Sequence, residues 1–360
     1  MKAAVCREFG APLVVEELAL ASPGPGEVEV AIKACAVCHS DMIFASGGWG
    51  GTLPAVYGHE AAGVVADVGP GVQHLRAGDH AVVTLVRSCG RCRCCEQGFY
   101  GSCESHFALD ANPPLRLAAD GSPVAQGLRT AAFAERVVVD ASQVVAIDDS
   151  VPMESAALLA CGVITGFGAV INTVKVPAGA SVVVIGTGGV GLNSVQGAAV
   201  SGASRIIAVD VNGEKLEAAR RFGATHAVDA SEGASVETVR ALTNGRGADY
   251  VFITVGAVGA YADAYQMLAK GGAAVIVGMT PVGATSSFDP LTLADSSMRI
   301  VGSKMGSSNI HKDLPNLVEL YHQGRLKLDE LVSGRYRLDE INDAFASVER
   351  GEALRNVIVF

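Results

Sequence analysis

Between Val182 and Asp210 the chain prescribes its own local fold. Val182-Val183-Val184-Ile185 is an apolar, β-branched run closed by glycine, which reads as a buried strand. Gly186-Thr187-Gly188-Gly189-Val190-Gly191 follows at once, a helix is expected over 192–200, and a second strand over 205–209 ends at Asp210. Three spaced glycines alone would be weak evidence. With a strand before them, a helix after and an acidic residue about 20 positions on, they form the dinucleotide-binding fingerprint. Gly186 permits the tight turn, Gly188 lets the backbone approach a pyrophosphate, and Gly191 lets helix and strand pack closely, with the helix N-terminus facing the phosphates. Asp210 suits ribose hydroxyls and would repel a 2'-phosphate, so NAD is favoured over NADP.

The alternation continues downstream. Helices are expected over 214–222, 235–242 and 261–268, and strands over 225–228, 249–254, 273–277 and 298–301, which makes six strands of a doubly wound parallel sheet. A chain of 360 residues has room for a second domain. Residues 1–86 supply its start, short alternating runs such as Val28-Glu29-Val30-Ala31-Ile32-Lys33 broken by Pro-Gly and Gly-Asp turns, which read as antiparallel β structure. A strand is expected over 133–139, an irregular loop over 104–130, helices over 311–323 and 339–349, and a closing strand over 355–360.

Composition excludes several classes. Apolar residues make up 49 % and charged residues 18 %, which suits a compact core and not disorder. The net charge of -10, with no basic run, argues against nucleic acid. No apolar run is read as approaching the ~20 residues of a membrane span, and the N-terminus lacks a signal-peptide core, so a cytoplasmic protein is expected. Nine cysteines in that compartment point to thiolates and metal, with five of them between Cys89 and Cys103.

Cys89, Cys92, Cys95 and Cys103 follow a C-x2-C-x2-C-x7-C pattern, able to complete the closed tetrahedral shell of a structural zinc. Cys94 breaks the spacing and is read as a bystander. Cys38-His39-Ser40-Asp41 and Gly58-His59-Glu60 offer a thiol, an imidazole and carboxylates that can hold a second metal ion, and the Ser40 hydroxyl can carry a proton away from it. Cys161 stands alone in an apolar helix expected to start near Pro152, capped by Asp149 or Ser150, and to run into Gly162. By itself such a cysteine reads as core filler.

Together the CHSD and GHE motifs, the four-cysteine lobe, the isolated Cys161-Gly162, the GTGGVG turn with Asp210 and the terminal Arg355 resemble the zinc-dependent medium-chain alcohol dehydrogenases, over essentially the whole chain. The resemblance implies an α/β protein with a GroES-like β-rich catalytic domain at 1–162 and 305–360, carrying a structural zinc lobe at 89–103. A Rossmann NAD-binding domain would occupy 163–304. It implies NAD and two zinc ions per chain as cofactors. Cys38, His59 and Cys161 would be the ligands of the catalytic zinc, leaving a fourth position open for the alcohol. Asp41 would fix the tautomer of His59, and Glu60 would approach the metal transiently. Ser40 would take the alcohol proton and pass it to the nicotinamide ribose.

The same resemblance gives the cofactor further contacts. Thr165 and Val190 would flank the nicotinamide, Val277 would join the cofactor set, His39 and Arg355 would meet the pyrophosphate, and Lys215 the adenosine ribose. Ile43, Trp49 and Leu85 would wall an apolar pocket suited to an uncharged primary alcohol, aromatic or allylic, oxidised to its aldehyde. Ile43 also stands where many relatives have a histidine that delivers the proton to solvent, so a water chain or another base is expected instead. The runner-up is an S-(hydroxymethyl)glutathione (formaldehyde) dehydrogenase, disfavoured because Phe107 replaces that branch's substrate-binding arginine. Rivals of other classes are a zinc-free quinone or enoyl reductase and a non-catalytic NAD-binding protein. A homodimer, with a tetramer as the alternative, is expected through the edge strand near 298–302.

Overall fold

The computed structural model describes every residue from Met1 to Phe360. The chain forms two compact units, one of Met1–Gly162 with Asn309–Phe360 and one of Val163–Ser308. The return to the first unit comes after Ser308, later than the expected 304. Residues just beyond 304 still pack in the second unit: a Cβ on Gly306 would lie 2.0 Å from the Ile164 carbonyl oxygen, and Ser308 Oγ donates to that carbonyl at 3.3 Å.

In the second unit six strands line up in the order His226–Asp229, Arg205–Asp210, Ser181–Ile185, Ala248–Ile253, Leu268–Ile276, Arg299–Gly302. Every neighbouring pair is parallel. Val183, Ile207 and Val251 are fully buried, which explains why these strands read as continuous apolar runs without alternation. Chain order switches between Ser181–Ile185 and Ala248–Ile253, and the crevice beyond their C-terminal ends is where open α/β sheets take ligands. A helix absent from the sequence reading, Pro290–Asp295, precedes the edge strand, with Asp289 accepting from the Leu291 and Thr292 N–H groups at 3.0 and 3.2 Å.

The first unit is β-rich, as expected. Lys2–Cys6, Val14–Leu20, Leu115–Leu117, Pro123–Gln126 and Ala55–Val56 close a small barrel. A second sheet runs Val144–Ala146, His80–Thr84, Glu60–Val68, Glu27–Ala36, Arg355–Val359, Val332–Arg337, with Arg136–Asp140 also paired to Glu27–Ala36. The segment expected as an irregular loop, 104–130, therefore contributes two barrel strands.

The helix expected to run into Gly162 continues well past it. It passes from Met153–Leu158 through a π-turn, Leu159–Val163, to Ile164–Gly168 and a second π-turn, Ala169–Thr173. Pro152 holds the cap position and no side chain caps it. Gly162 is a packing contact, since a Cβ there would stand 3.2 Å from the guanidinium carbon of Arg355. The run Met153–Thr173 is 21 residues long with hydropathy 1.7, enough by composition to cross a membrane, against the expectation of no such run. It is a core helix, because 83 % of its most apolar window is buried inside the protein.

Candidate active site and metal centres

Cys38 follows strand Glu27–Ala36 and starts the short helix His39–Ala45. Asp41, on that helix and fully buried, gathers the site. Its carboxylate accepts from the Cys38 N–H at 3.1 Å, from the Gly58 N–H at 2.9 Å and from His59 Nδ1 at 2.9 Å. Gly58 has φ +91, and a Cβ there would lie 2.5 Å from the Phe133 nitrogen, so only glycine lets the chain turn into His59. Cys161 sits in the π-turn, a local irregularity that recurs at functional sites. The donor atoms of Cys38, His59, Glu60 and Cys161 all lie within 4.8 Å of one another, and all four residues are buried.

The charges in this pocket are mutually dependent. The Cys161 thiol hydrogen-bonded to Cys38, with His59 beside it, holds Cys38 well below the ordinary thiol value against the effect of burial. Cys161 is held well above it by that bond and by burial. Burial opposes the His59 imidazolium, yet Asp41 and Cys38 outweigh it and hold His59 well above its usual value. Burial pushes the Glu60 carboxyl up to about 7, even though Arg355 pairs with one of its oxygens. With Nδ1 committed to Asp41, Nε2 is the nitrogen that His59 has left for the cluster, and that buried atom has no hydrogen-bond partner. Glu60 Oε1 is likewise without one. Two thiols, an orphaned imidazole nitrogen and a carboxylate crowded this closely fit one divalent cation, which would relieve the negative charge and engage the unpartnered lone pairs.

The second cluster is Cys89, Cys92, Cys95 and Cys103, again with sulfurs within 4.8 Å of one another. Backbone N–H groups of Arg91 and Cys92 point to Cys89 Sγ at 3.5 and 3.3 Å, and the Cys89 N–H to Cys103 Sγ at 3.4 Å. The Ser105 hydroxyl and these amides hold Cys89 down to about 6. Four cysteine sulfurs with amide donors around them fit a structural zinc and leave no position for substrate. Cys94 stands outside it.

Most of the residues expected to meet the cofactor lie in the second unit. Asp210 takes the Thr187 N–H at 2.6 Å and its hydroxyl at 3.0 Å on one carboxylate oxygen, and the Asn212 N–H at 3.0 Å on the other, which fixes it at the end of its strand. Lys215 is half-buried in the first turn of helix Gly213–Arg221, and Val277 is buried just beyond Leu268–Ile276. Ser194 Oγ reaches the Gly166 and Val190 carbonyls at 3.1 and 3.4 Å, so the turn carrying Thr165 is held against the one carrying Val190.

The remaining expected residues belong to the first unit. His39 is exposed and Ser40 half-buried at the start of helix His39–Ala45. Arg355, expected at the pyrophosphate, has its guanidinium on Glu60, because a buried carboxylate beside the Cys38 thiolate needs a counter-charge. Ile43 and Trp49 lie on that short helix and the glycine-rich loop after it, with Trp49 edge-on to Phe44 at 5.3 Å, and Leu85 follows strand His80–Thr84. Phe107, at the position of the absent arginine, lies 5.4 Å from the guanidinium of Arg87.

Arg87 was not singled out from the sequence. It is 1 % exposed and bonds Gln143 Oε1 at 2.7 Å and Asp110 at 2.8 Å. Gln143 in turn donates to the Thr84 carbonyl at 2.8 Å, and Thr84 Oγ1 donates to the Ala160 carbonyl at 2.6 Å. Only an arginine interrupting an apolar stretch hinted at this network.

Residues 24–149 match the family profile described as the alcohol dehydrogenase GroES-like domain, and residues 189–323 the one described as zinc-binding dehydrogenase. An NDMA-dependent alcohol dehydrogenase from Amycolatopsis methanolica is 38 % identical over 365 residues, spanning 99 % of this chain and 98 % of that protein. An alcohol dehydrogenase zinc-binding domain protein from Burkholderia ambifaria superposes with a TM-score of 0.95 at 36 % identity, over 100 % of this chain and 98 % of that one. The benzyl alcohol dehydrogenase of Acinetobacter calcoaceticus gives 0.94 at 32 %, over 100 % and 99 %. Zinc-free and non-catalytic readings fall away with both metal clusters assembled and relatives of this kind along the whole chain. The chain therefore belongs to the zinc-dependent medium-chain dehydrogenase family, as an NAD-dependent alcohol dehydrogenase whose cofactors are NAD and a structural and a catalytic zinc.

Proposed function

We propose that the chain oxidises an uncharged primary alcohol, aromatic or allylic, to its aldehyde, with the catalytic zinc on Cys38, His59 and Cys161. The observation that carries this reading is the buried quartet with the unpartnered His59 Nε2. When bound, zinc supplies Lewis-acid polarisation of the alcohol oxygen and NAD the hydride acceptor. Asp41 keeps the proton on His59 Nδ1 and so presents Nε2 to the metal. Arg355 pairs with Glu60 and balances its charge beside the cluster. Ser40 would take the alcohol proton at its hydroxyl, and since Ile43 offers no acceptor, water would carry that proton on from Ser40. Asp210 selects NAD through its fixed carboxylate.

Ile43, Trp49 and Leu85 support an apolar substrate. Arg87, buried and tied to Gln143 and Asp110, is not available to a substrate carboxylate. A panel of alcohols followed as NADH formation tests this, with formaldehyde plus glutathione and with NADP in parallel. Benzyl and allylic alcohols are expected to turn over, with kcat/KM for NAD above that for NADP by about tenfold or more, since like charges brought together cost several kcal/mol. Turnover of the glutathione adduct alone would overturn the substrate reading.

A homodimer through the edge strand Arg299–Gly302 belongs to the same proposal. Ile300 on that edge is 41 % exposed, with Met279 at 61 %, Phe288 at 47 % and Leu291 at 76 % in the segment leading to it. A cavity of about 470 Å³ opens there among Tyr261, Tyr265, Met279, Phe288 and Ile300. An unpaired edge flanked by apolar side chains is a liability that a second copy would cover. Ile300→Asp is expected to give monomers by light scattering; a wild-type protein already monomeric at micromolar concentration would exclude the dimer. With nine cysteines free of disulfides, the proposed compartment is the reducing cytoplasm.

A further inference from the structure

We infer that Thr84 is a positioning residue for the catalytic metal, acting on Cys161 through the Ala160 peptide. The inference rests on the proposed ligand set Cys38, His59 and Cys161. Thr84 is fully buried at the end of strand His80–Thr84, in register with Glu60 on the neighbouring antiparallel strand. Its hydroxyl crosses to the π-turn Leu159–Val163 and donates to the Ala160 carbonyl at 2.6 Å. That carbonyl lies in the peptide plane that ends at the Cys161 nitrogen, so the bond fixes the plane from which the Cys161 side chain springs.

One residue thus ties the strand that follows His59 and carries Glu60 to the turn that carries Cys161. The tie matters because the turn is π-helical. A π-turn is the less regular form of the helix, and its side-chain directions are set by what the surroundings supply. The Thr84 hydroxyl is such a support, and it is itself braced. Gln143, fully buried, donates to the Thr84 carbonyl at 2.8 Å and to the Arg129 carbonyl at 3.1 Å. Arg87 holds the Gln143 oxygen at 2.7 Å and is anchored by Asp110 at 2.8 Å and by the Arg129 carbonyl at 3.1 Å. A buried guanidinium with this many fixed partners is a rigid mount, and a metal ligand held within a few tenths of an ångström needs one.

The test is the release of zinc from the folded, fully loaded protein to a chromophoric chelator, which is read without turnover. A His59→Ala variant identifies the phase that belongs to the four-cysteine lobe. Thr84→Val keeps the shape and removes the hydroxyl, and the catalytic phase is expected to quicken by about tenfold to a hundredfold, the usual range for losing a partner behind a ligand. The lobe phase should not move, and Thr84→Ser should restore the wild-type rate. Cobalt substituted at the catalytic cluster should show an altered thiolate charge-transfer band in Thr84→Val only. Wild-type release and cobalt spectra in Thr84→Val, even with a lower melting temperature, would overturn the inference, since a threonine that merely satisfies its own hydroxyl in the core predicts that result. Should Thr84→Val not fold, Gln143→Leu carries the comparison: faster release in the catalytic phase is expected, and the wild-type rate overturns it. A wild-type chain holding a single zinc would instead overturn the ligand assignment.

Discussion

Cys161→Ala is expected to hold one zinc ion per chain instead of two and to lose about a thousandfold or more in kcat/KM for alcohol oxidation. With Cys161 gone, two of the three proposed ligands remain, Cys38 and His59, beside a carboxylate already paired with Arg355. Lewis-acid polarisation is worth several kcal/mol of transition-state stabilisation, and each 1.36 kcal/mol is tenfold in rate, which gives the expected size. The four-cysteine lobe draws on Cys89 to Cys103 only and should keep its ion. The glycine-rich turn Gly186–Gly191 belongs to the other compact unit, so NAD affinity should be unchanged. Metal analysis, NADH formation and an NAD titration measure the three. Two zinc ions with undiminished turnover would remove Cys161 from the metal site.

Cys161 also marks the limit of what residues alone could say. Nothing near it in the chain carries a metal signal, and only the resemblance joined it to Cys38 and His59. The structural reason is that its place depends on a π-turn, and on packing between Gly162 and Arg355, a residue close to the C-terminus. The four-cysteine lobe was legible because all its ligands fall within one short segment. Asp41 was legible in part, three residues after Cys38, but its bonds to Gly58 and His59 close a loop that no spacing rule describes.

The fold divides in the same way. The parallel sheet was readable because its central strands, such as Ser181–Ile185 and Arg205–Asp210, are buried on both faces and read as apolar runs. The barrel strands Leu115–Leu117 and Pro123–Gln126 escaped notice because they are three and four residues long, too short for a period, and one begins with proline. Val332–Arg337 was hidden for another reason. It alternates half-buried and exposed positions, carries Gly334, Arg335 and Arg337, and gains its place only by pairing in parallel with Arg355–Val359 at the sheet edge. The Thr84, Arg87 and Gln143 chain left almost no trace, since Gln143 lies more than 50 residues from the other two and the three acquire meaning only when their shared burial is known.

Gly188 and Gly191 separate what the fold needs from what the cofactor needs. A Cβ on Gly191 would lie 1.8 Å from the Gly186 carbonyl oxygen, so Gly191→Ala must displace backbone, at a cost of about 3 kcal/mol, and should lower both the melting temperature and NAD affinity. Gly188 is the opposite case. Its φ of -72 and ψ of -170 suit any residue, and a Cβ there would meet no atom of the protein within 4 Å. The chain itself has no use for glycine at that position; the reason lies in what approaches from outside, at the N-terminus of helix Gly189–Val200. Gly188→Ala is therefore expected to melt like the wild type while its Kd for NAD rises by about tenfold to a hundredfold, the equivalent of the roughly 1–3 kcal/mol that a methyl forced against a bound group costs. Calorimetric titration with NAD, beside thermal melts of the protein without it, reads the two effects apart. Wild-type NAD affinity in Gly188→Ala would mean that the pyrophosphate does not pass over this turn, and the cofactor would have to be sought at another part of the switch-point crevice.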